Sequence, residues 1–319
     1  MSQLSGAAVD AWGEGPSIRF TVPATSANLG TAFDCAAVAL RLHLEVIASP
    51  RHEPGVELTY RGSRPELVGT GSDNLLVQAL EEGVRRFGGS EPHLGIHVRS
   101  DIPIGVGLGS SAAAIVAGLG VAAALAPARP SDEVLLASAA ELDGHPDNVA
   151  AAYLGGFVVA ARTGPDDRLL TARTDVPADI DFTLAIPDQT VATHAARATL
   201  PTSYSREDAV HNLQRTALLV AAAFSGRFDF QPDLFDDRWH QRQRAQLIPG
   251  AAECLALRDP RLLGVCLSGS GSAVLAISRG HTELAEELLR GAFASAGVDT
   301  RTLSLPADND GVFRGFLDR

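Results

Sequence analysis

The sequence predicts a protein of mixed helices and strands that is divided into two domains. Its 319 residues are enough for two domains of ordinary size with a substantial core. In both halves of the chain, some apolar residues alternate with polar ones as in strands, and others recur at helical spacing. Charged and turn residues increase after the loop Thr163–Asp167, so we predict a boundary near residue 165, between domains of residues 1–165 and 166–319.

The first half alternates predicted strands with predicted helices. Leu40, Leu42 and Leu44 are separated by polar residues, which is the period of a half-buried strand. The strands are predicted at Ser17–Val22, Cys35–Ala48, Val56–Tyr60, Leu94–Val98 and Gly155–Ala160. The helices are predicted at Asp73–Phe87, Ser110–Leu125 and Ser131–Leu142, with a further helix of small residues before Gly155. Ser110 and Ser111 are expected to cap the second helix, because serine side chains accept hydrogen bonds at helix starts.

The second half has the same mixed character. The polar segment Thr193–Pro201 follows its first strand. The strands are predicted at Phe182–Ile186, Leu262–Leu267, Ala273–Ser278 and, as the closing strand, Thr300–Leu305. The helices are predicted at Asp208–Phe224, Arg238–Pro249 and His281–Gly297.

Composition excludes several classes of protein. A formal net charge of −12 disfavours general nucleic-acid binding, which needs a concentrated basic surface. No apolar run reaches membrane-spanning length, and residues 1–16 lack the pattern of a signal peptide, so we expect a cytoplasmic protein without a membrane partner. The three cysteines are widely spaced, which argues against a disulfide framework or a cysteine-rich zinc site.

The sequence contains no lysine, so arginine carries every basic charge of that class. Chemistry that depends on a lysine amine is therefore closed to this protein. That removes the Walker-type phosphate loop, the strand lysine of protein kinases and the Schiff base to pyridoxal phosphate. A nucleotide would have to be held by backbone amides, hydroxyl groups and arginine.

The stretch Asp101–Ala114 predicts an anion site. Gly105, Gly107 and Gly109 lead into two serines and an alanine-rich helix. Glycines let backbone N–H groups approach a ligand closely, and a helix N-terminus adds unpaired donors and the positive end of its dipole. A phosphate is the natural guest, although an ordinary loop before a capped helix has the same residues.

A dinucleotide-binding motif is the other formal match to this stretch. Gly107-x-Gly109-x-x-Ala112 fits the fingerprint, but Pro103 interrupts the strand that should precede it. No strand-ending acid lies about twenty residues downstream to bind the ribose hydroxyls. A nicotinamide-dependent dehydrogenase is therefore a poor fit.

Three further polar segments suggest phosphoryl transfer to a small acidic molecule. They are Pro23–Asp34, Glu141–Asn148 and the second Gly/Ser loop Ser268–Ser272. Together with the glycine stretch they offer amides for a triphosphate, a hydroxyl and a carboxylate for Mg²⁺, and arginine forks for a carboxylate on the acceptor. A non-catalytic sensor that binds an amino acid stays open as an alternative.

In this order the motifs resemble those of the GHMP kinase superfamily, and most closely those of its homoserine kinase family. The run from Pro103 to Ala112 is similar to the superfamily's phosphate loop, and His145-x-Asp147-Asn148 to its third motif. The resemblance implies an α+β architecture of two domains, the first like ribosomal protein S5 domain 2 and the second ferredoxin-like. It also implies ATP and Mg²⁺ as cofactors and L-homoserine as the acceptor, on the route to threonine.

The resemblance also implies a role for each matched residue. Catalytic roles fall to Asn28, Asp147, Asn148 and Thr193. Contacts to homoserine fall to Asn28, Asp34, His145, Arg197, Arg244, Gly269 and Ser270. Contacts to ATP fall to Asn74, Pro103, Gly105, Gly107, Leu108, Gly109, Ser110 and Ser111. The metal ligands would be Ser111 and Glu141.

Some questions stay open at this point. Asp147 is interpreted as a structural partner of its loop first and as a catalytic base second. The acceptor could be another small hydroxylated acid, such as a mevalonate-like or shikimate-like one. The oligomeric state is open, a homodimer included.

Overall fold

The computed structural model describes residues 17–89, 91–164 and 168–317, and it confirms the predicted α+β class. The strands are β1 (Ser17–Ala27), β2 (Ala36–Pro50), β3 (Gly55–Gly62), β4 (His93–Ser100), β5 (Phe157–Thr163), β6 (Arg168–Thr174), β7 (Ile180–Pro187), β8 (Leu262–Leu267), β9 (Val274–Arg279), β10 (Thr300–Pro306) and β11 (Phe313–Leu317). The α-helices are α1 (Leu75–Phe87), α2 (Ser110–Leu125), α3 (Asp132–Asp143), α4 (Pro146–Leu154), α5 (Thr193–Ala198), α6 (Arg206–Phe224), α7 (Gln241–Ala245), α8 (Ala251–Leu255) and α9 (Thr282–Ser295).

Within the described ranges the strands form two sheets. The larger has seven strands in the order β11-β1-β2-β4-β3, with β5 also paired to β2 and β6 paired to β5. The smaller has four strands in the order β10-β7-β9-β8. The pair β3–β4 is parallel and the other pairs are antiparallel. The labels S5-like and ferredoxin-like for the two parts stay predictions.

The helices pack on these sheets, and the starts of α2 and α4 lie close to each other. α2 and α4 pack on β1 and β2, and α9 packs on the smaller sheet. α2 begins directly after Gly109 of the glycine stretch, and α4 begins directly after the residues Asp143–His145, here called the acidic turn. The fold thus holds the starts of two helices beside the ends of the strands on which they pack.

α1 and α2 pack closely because Gly118 has no side chain. A Cβ placed on Gly118 would overlap the carbonyl oxygen of Leu76 and would lie 3.0 Å from the backbone nitrogen of Leu80. Alanine fills much of the rest of this interface; Ala79, Ala117 and Ala122, for example, are buried. The small residues from which a helix was predicted here also determine how closely α2 packs against α1.

Two edge strands were missed by the sequence prediction. β6 lies in a segment for which the sequence predicts charged and turn residues and no strand. Most of its residues are exposed, so it lacks the alternating apolar pattern of a half-buried strand. The strand at residues 300–306 does not close the fold, since Phe313–Leu317 follows it and pairs with β1.

Two further expectations need correction. The N-cap residue of α2 is Gly109, in the left-handed conformation, so Ser110 and Ser111 do not cap the helix but belong to its first turn. The helix predicted at Arg238–Pro249 is helical only over Gln241–Ala245. A glycine start leaves the first N–H groups of α2 without a side chain from the N-cap residue.

The predicted domain boundary near residue 165 falls at residues 165–167, outside the described part of the chain. β6 and β11 both follow it and both pair within the larger sheet, so the two sheets do not separate at that point. The division into domains of residues 1–165 and 166–319 stays a prediction.

We expect Gly118→Ala to destabilise the protein, by about 1–3 kcal/mol as overpacked cores usually are. The added methyl group meets backbone atoms of α1, which can move only if the whole helix shifts. Urea unfolding measures the difference. Gly291→Ala is the matched control: it also lies within a helix, nothing lies within 4 Å of its added Cβ, and it should raise stability slightly. Equal effects at the two positions would contradict the packing explanation.

Candidate active site

Loops from both sheets line one cavity of about 310 Å³. The predicted site residues that line it are Asn28, Asp34, Gly105, Gly107, Leu108, Gly109, Ser110, Ser111, His145, Asp147, Asn148, Thr193, Arg197, Arg244, Gly269 and Ser270. They come from six separate segments of the chain, so only the folded structure brings them together.

The glycine stretch packs against the second Gly/Ser loop. Gly107 has a φ of 85°, and a Cβ there would overlap the carbonyl oxygen of Ser268. The Ser268 hydroxyl donates to the carbonyl oxygen of Gly107 at 2.7 Å, and the Ala273 N–H donates to that of Val106 at 3.0 Å. Gly107 is therefore required both for its backbone angle and for the close approach of these two loops.

Asn28 joins the same assembly from the loop after β1. It has a φ of 71°, its side-chain amide donates to the carbonyl oxygen of Gly269 at 2.8 Å, and its side-chain oxygen accepts from the Asp34 N–H at 2.9 Å. A left-handed non-glycine residue with both ends of its amide engaged is held in one conformation. Asn28 thus fixes where Asp34 leaves the loop.

An acidic turn lies beside the start of α2. The Ser111 hydroxyl is 3.4 Å from a carboxylate oxygen of Asp143, and the other oxygen is 3.7 Å from Nδ1 of His145. The Asp143 carboxylate raises the pKa of His145. Within the described residues no group of three or more His, Cys, Asp or Glu side chains is arranged to hold a metal ion. A cation here would need phosphate oxygens as further ligands.

Glu141, predicted as a metal ligand, does not line the cavity. Its carboxylate is an exposed partner of Arg86, at 2.6 Å, on the other side of α3. Residues two apart on a helix point in different directions, so Glu141 and Asp143 face different sides of α3. The carboxylate that the fold places beside Ser111 is Asp143, which the sequence prediction did not select.

Asp147 and Asn148 form the start of α4. Asp147 is buried, and its carboxylate accepts from the Asn148 N–H at 2.7 Å. The Thr25 hydroxyl donates to the side-chain oxygen of Asn148 at 2.6 Å. Burial, together with the carboxylates of Asp34 and Asp143, raises the pKa of Asp147 to about 7. The pair is thus held by local hydrogen bonds and contains a carboxyl group that titrates near neutral pH.

Asp34 and Arg197 pair across the cavity. Nη2 of Arg197 donates to both carboxylate oxygens of Asp34, at 2.7 and 2.9 Å. Both side chains are partly exposed to the cavity, at 32% for Asp34 and 39% for Arg197. The pair offers one negative and one positive group, adjacent to each other, to any ligand that enters.

Arg244 is almost completely buried beside this pair. Its Nη1 donates to the Gly269 carbonyl oxygen at 3.1 Å and lies 3.3 Å from Nδ1 of His240. Burial and the neighbouring Arg197 guanidinium lower the pKa of Arg244 to about 10, so it remains charged at neutral pH. The Nε atoms of Arg197 and Arg244 are both buried without a hydrogen-bond partner. An unused donor on a buried cation is available to an anionic ligand.

The remaining predicted residues lie around the cavity. Thr193 and Ser270 both line it, with Thr193 Oγ1 3.4 Å from Ser270 Oγ. Asn74 lies in an adjoining cavity of about 250 Å³, which shares Leu75, Ser110 and Ser111 with the first. The Asn74 side chain caps α1, accepting from the Leu76 N–H at 2.9 Å. Pro103 is buried and lines neither cavity.

Comparison with known proteins gives the family. Residues 74–156 match the family model for the GHMP kinases N terminal domain. The homoserine kinase of Solibacter usitatus is 40% identical over 274 residues, covering 84% of this chain and 89% of that protein. The chain belongs to the homoserine kinase family of GHMP kinases. A second member, from Moorella thermoacetica, is 38% identical over 294 residues, covering 91% of this chain and 97% of that protein.

Solved structures agree with this family. The homoserine kinase from Cytophaga hutchinsonii has a TM-score of 0.81 and 26% sequence identity, and the match covers 95% of this chain and 98% of that one. In the part of the chain that the structure describes, no helix is long and apolar enough to cross a membrane.

We expect Asp147→Asn to change how stability depends on pH. The pKa of Asp147 is about 7 in the folded protein, whereas in the unfolded chain the group has the ordinary pKa of about 3.9. This group therefore lowers the stability of the wild type as the pH rises between these values, by a few kcal/mol at most, and the variant lacks that contribution. Urea unfolding at pH 5 and pH 8 should show the variant gaining relative to wild type at pH 8. If the difference in the free energy of unfolding between the two proteins is the same at pH 5 and pH 8, the raised pKa of Asp147 is contradicted.

Proposed function

We propose that the protein is a homoserine kinase, which transfers the γ-phosphoryl group of ATP to the side-chain hydroxyl of L-homoserine and makes O-phospho-L-homoserine for threonine synthesis. One observation carries the proposal. A single cavity is lined by the glycine loop and the start of α2, here called the phosphate side, and by Asp34, Arg197 and Arg244, here called the acceptor side. The first suits a triphosphate and the second suits an amino acid.

The phosphate side relies on backbone rather than on lysine. Gly105, Gly107 and Gly109 have φ values of 73°, 85° and 68°, so their N–H groups take directions that other residues rarely allow. The positive end of the α2 dipole lies at the same point. The adjoining cavity with Asn74 and Leu75 is where the nucleoside would lie.

Mg²⁺ would be held by Ser111 and Asp143. The donor set fits the ion, because Mg²⁺ commonly takes one or two protein oxygens and completes its shell with phosphate and water. When bound, the ion would neutralise charge on the phosphate oxygens. Asp143 here replaces Glu141, which is engaged with Arg86.

The acceptor side matches the zwitterion of homoserine. The ammonium would bind Asp34, and the carboxylate would bind Arg197 and Arg244, whose Nε donors are otherwise unused. Homoserine thereby exchanges the internal Asp34–Arg197 contact for two contacts of its own. His145, Gly269 and Ser270 would complete the contacts at the cavity wall, as predicted from the resemblance.

Catalysis would consist mainly of positioning and charge neutralisation. Asn28 and Asn148 would hold the hydroxyl in line with the γ-phosphorus, and Thr193 would lie near the transferred group. Asp147 supports its loop through the Asn148 N–H, and asparagine could keep that bond. Turnover of Asp147→Asn within about tenfold of wild type supports the structural role, whereas a loss of the size usual for general bases, about 10²–10⁴-fold, supports a base.

Two alternatives remain. A kinase for a mevalonate-like or shikimate-like acid would have no ammonium for Asp34, which makes it the weaker candidate. A sensor would bind an amino acid and leave ATP intact. A cytoplasmic location and a homodimer stay predictions.

Steady-state phosphorylation assays with L-homoserine, mevalonate and shikimate test the function. We expect L-homoserine to be preferred by at least about a hundredfold in kcat/KM, since a charged partner lost in a desolvated site costs roughly a few kcal/mol. If the enzyme prefers mevalonate or shikimate, the proposal that L-homoserine is the acceptor is overturned. Threonine binding without any ATP turnover would favour the sensor.

Asp143→Asn and Glu141→Gln form a matched pair for the metal site. We expect Asp143→Asn to need about tenfold or more Mg²⁺ for half-maximal activity, the size usual when a metal site is weakened. Glu141→Gln should behave as wild type, because Glu141 lies outside the cavity. Titration of Mg²⁺ at saturating ATP and homoserine measures both. The reverse pattern would restore Glu141 as the ligand.

A further inference from the structure

Both arginines of the acceptor side lie against the same aromatic ring. The Cζ atoms of Arg197 and Arg244 are each 5.2 Å from the centroid of the Phe33 ring. This is within the distance at which a guanidinium and an aromatic face attract each other. Phe33 directly precedes Asp34, so one loop supplies both the acidic partner and the ring.

The ring itself is held from behind by a buried histidine. Phe33 stacks on His240 with centroids 5.0 Å apart and an angle of 26° between the planes. His240 is fully buried, and its Nε2 donates to the Gly30 carbonyl oxygen at 2.8 Å. Asp237 accepts from the His240 N–H at 2.7 Å and thereby fixes the backbone at this point. The stack therefore cannot shift without disturbing two loops.

His240 also orients one of the arginines. Its Nδ1 is 3.3 Å from Nη1 of Arg244, which can only donate. The hydrogen on Nε2 and the lone pair on Nδ1 are both used in the neutral imidazole alone. Burial lowers the pKa of His240, which favours that form. Arg244 is thus held by a neutral acceptor that adds no charge to the site.

The two guanidinium groups repel each other, and the carboxylates of Asp34, Asp237 and Asp147 offset part of that repulsion at Arg244. Like charges at short range raise the energy of a buried site unless something compensates. Asp34 pairs directly with Arg197, through Nη2, and Arg244 has neutral partners, His240 and the Gly269 carbonyl. The Phe33 ring attracts both cations, and the two Cζ atoms lie at the same distance, 5.2 Å, from its centroid.

We propose that Phe33, backed by His240, is a positioning residue that sets the spacing of Arg197 and Arg244, so that the two guanidinium groups close on one carboxylate. This rests on the proposed function for the identity of that carboxylate, which would be the one of L-homoserine. Phe33 acts through the arginines and is not itself a catalytic residue.

The test compares Phe33→Tyr, which keeps the ring, with Phe33→Leu, which keeps an apolar side chain but removes the ring. We expect Phe33→Leu to raise the KM for L-homoserine about tenfold, the effect of weakening two cation–ring contacts, with kcat and the KM for ATP within about threefold of wild type. Phe33→Tyr should restore the wild-type KM. A change in kcat with an unchanged homoserine KM would overturn the proposal.

A matched control and a second variant separate positioning from packing. Phe313→Leu makes the same change at an exposed position on β11 and should leave both KM values unchanged. His240→Asn, which retains an acceptor, should raise the homoserine KM less than His240→Leu does. If Phe33→Leu does not fold, Phe33→Met takes its place under the same criteria.

A double-mutant comparison shows whether Phe33 acts through the arginine. In an Arg244→Ala background, Phe33→Leu should raise the homoserine KM by clearly less than it does alone, since one of its two partners is gone. Full additivity would overturn the proposal.

A crystal structure of Phe33→Leu gives a readout that does not depend on the substrate. Displaced guanidinium groups support the spacing role even if the wild type fails to phosphorylate homoserine, and unmoved groups overturn it. Failure of the wild type in the homoserine assay would instead overturn the proposed function, so the two failures are distinguishable.

Discussion

The close approach of two loop backbones is the constraint on which the site depends. The glycine stretch before α2 and the loop Ser268–Ser272 touch at Gly107, where a side chain would overlap the Ser268 carbonyl oxygen. Hydrogen bonds from Ser268 and Ala273 then join the loops, and Asn28 adds the loop after β1. Because these loops belong to different sheets, their contact fixes the phosphate side relative to the acceptor side. Chemistry that proceeds by positioning needs such a fixed distance.

The charges of the acceptor side are arranged to be completed by a ligand. Asp34 and Arg197 satisfy each other only in part, and the buried Arg244 keeps an unpartnered Nε. Unpaired buried donors destabilise the free protein, and a bound zwitterion would satisfy these donors. The proposed selectivity for an amino acid rests on this arrangement, since a ligand that lacks either charge would leave one group of the site unpaired. The absence of lysine is consistent with this arrangement, because planar arginine forks suit a carboxylate.

The sequence predicted most of the strands, including the edge strands β3, β8 and β10, but it missed β6 and β11. β2 and α1 carry clear periodic patterns and were found close to their true bounds. β6 and β11 were missed because edge strands can pair through their backbones without an alternating apolar pattern. The start of α2 was predicted correctly but its capping residue was not, since the N-cap is Gly109 and not a serine. Glu141 was chosen over Asp143 because both lie in one acidic cluster, and only the helix shows which of them faces Ser111.

By itself the sequence determined the type of chemistry. Local composition carries that information: glycines before a helix start predict a phosphate loop, the lack of lysine closes other nucleotide chemistries, and the order of motifs resembles one family. The tertiary structure alone decided which residues meet. Sixteen predicted residues line one cavity, while Asn74 lies beside it and Pro103 and Glu141 lie outside. The physical reason is that these contacts join residues far apart in the chain, such as Phe33 and Arg244, whose separation no local pattern encodes.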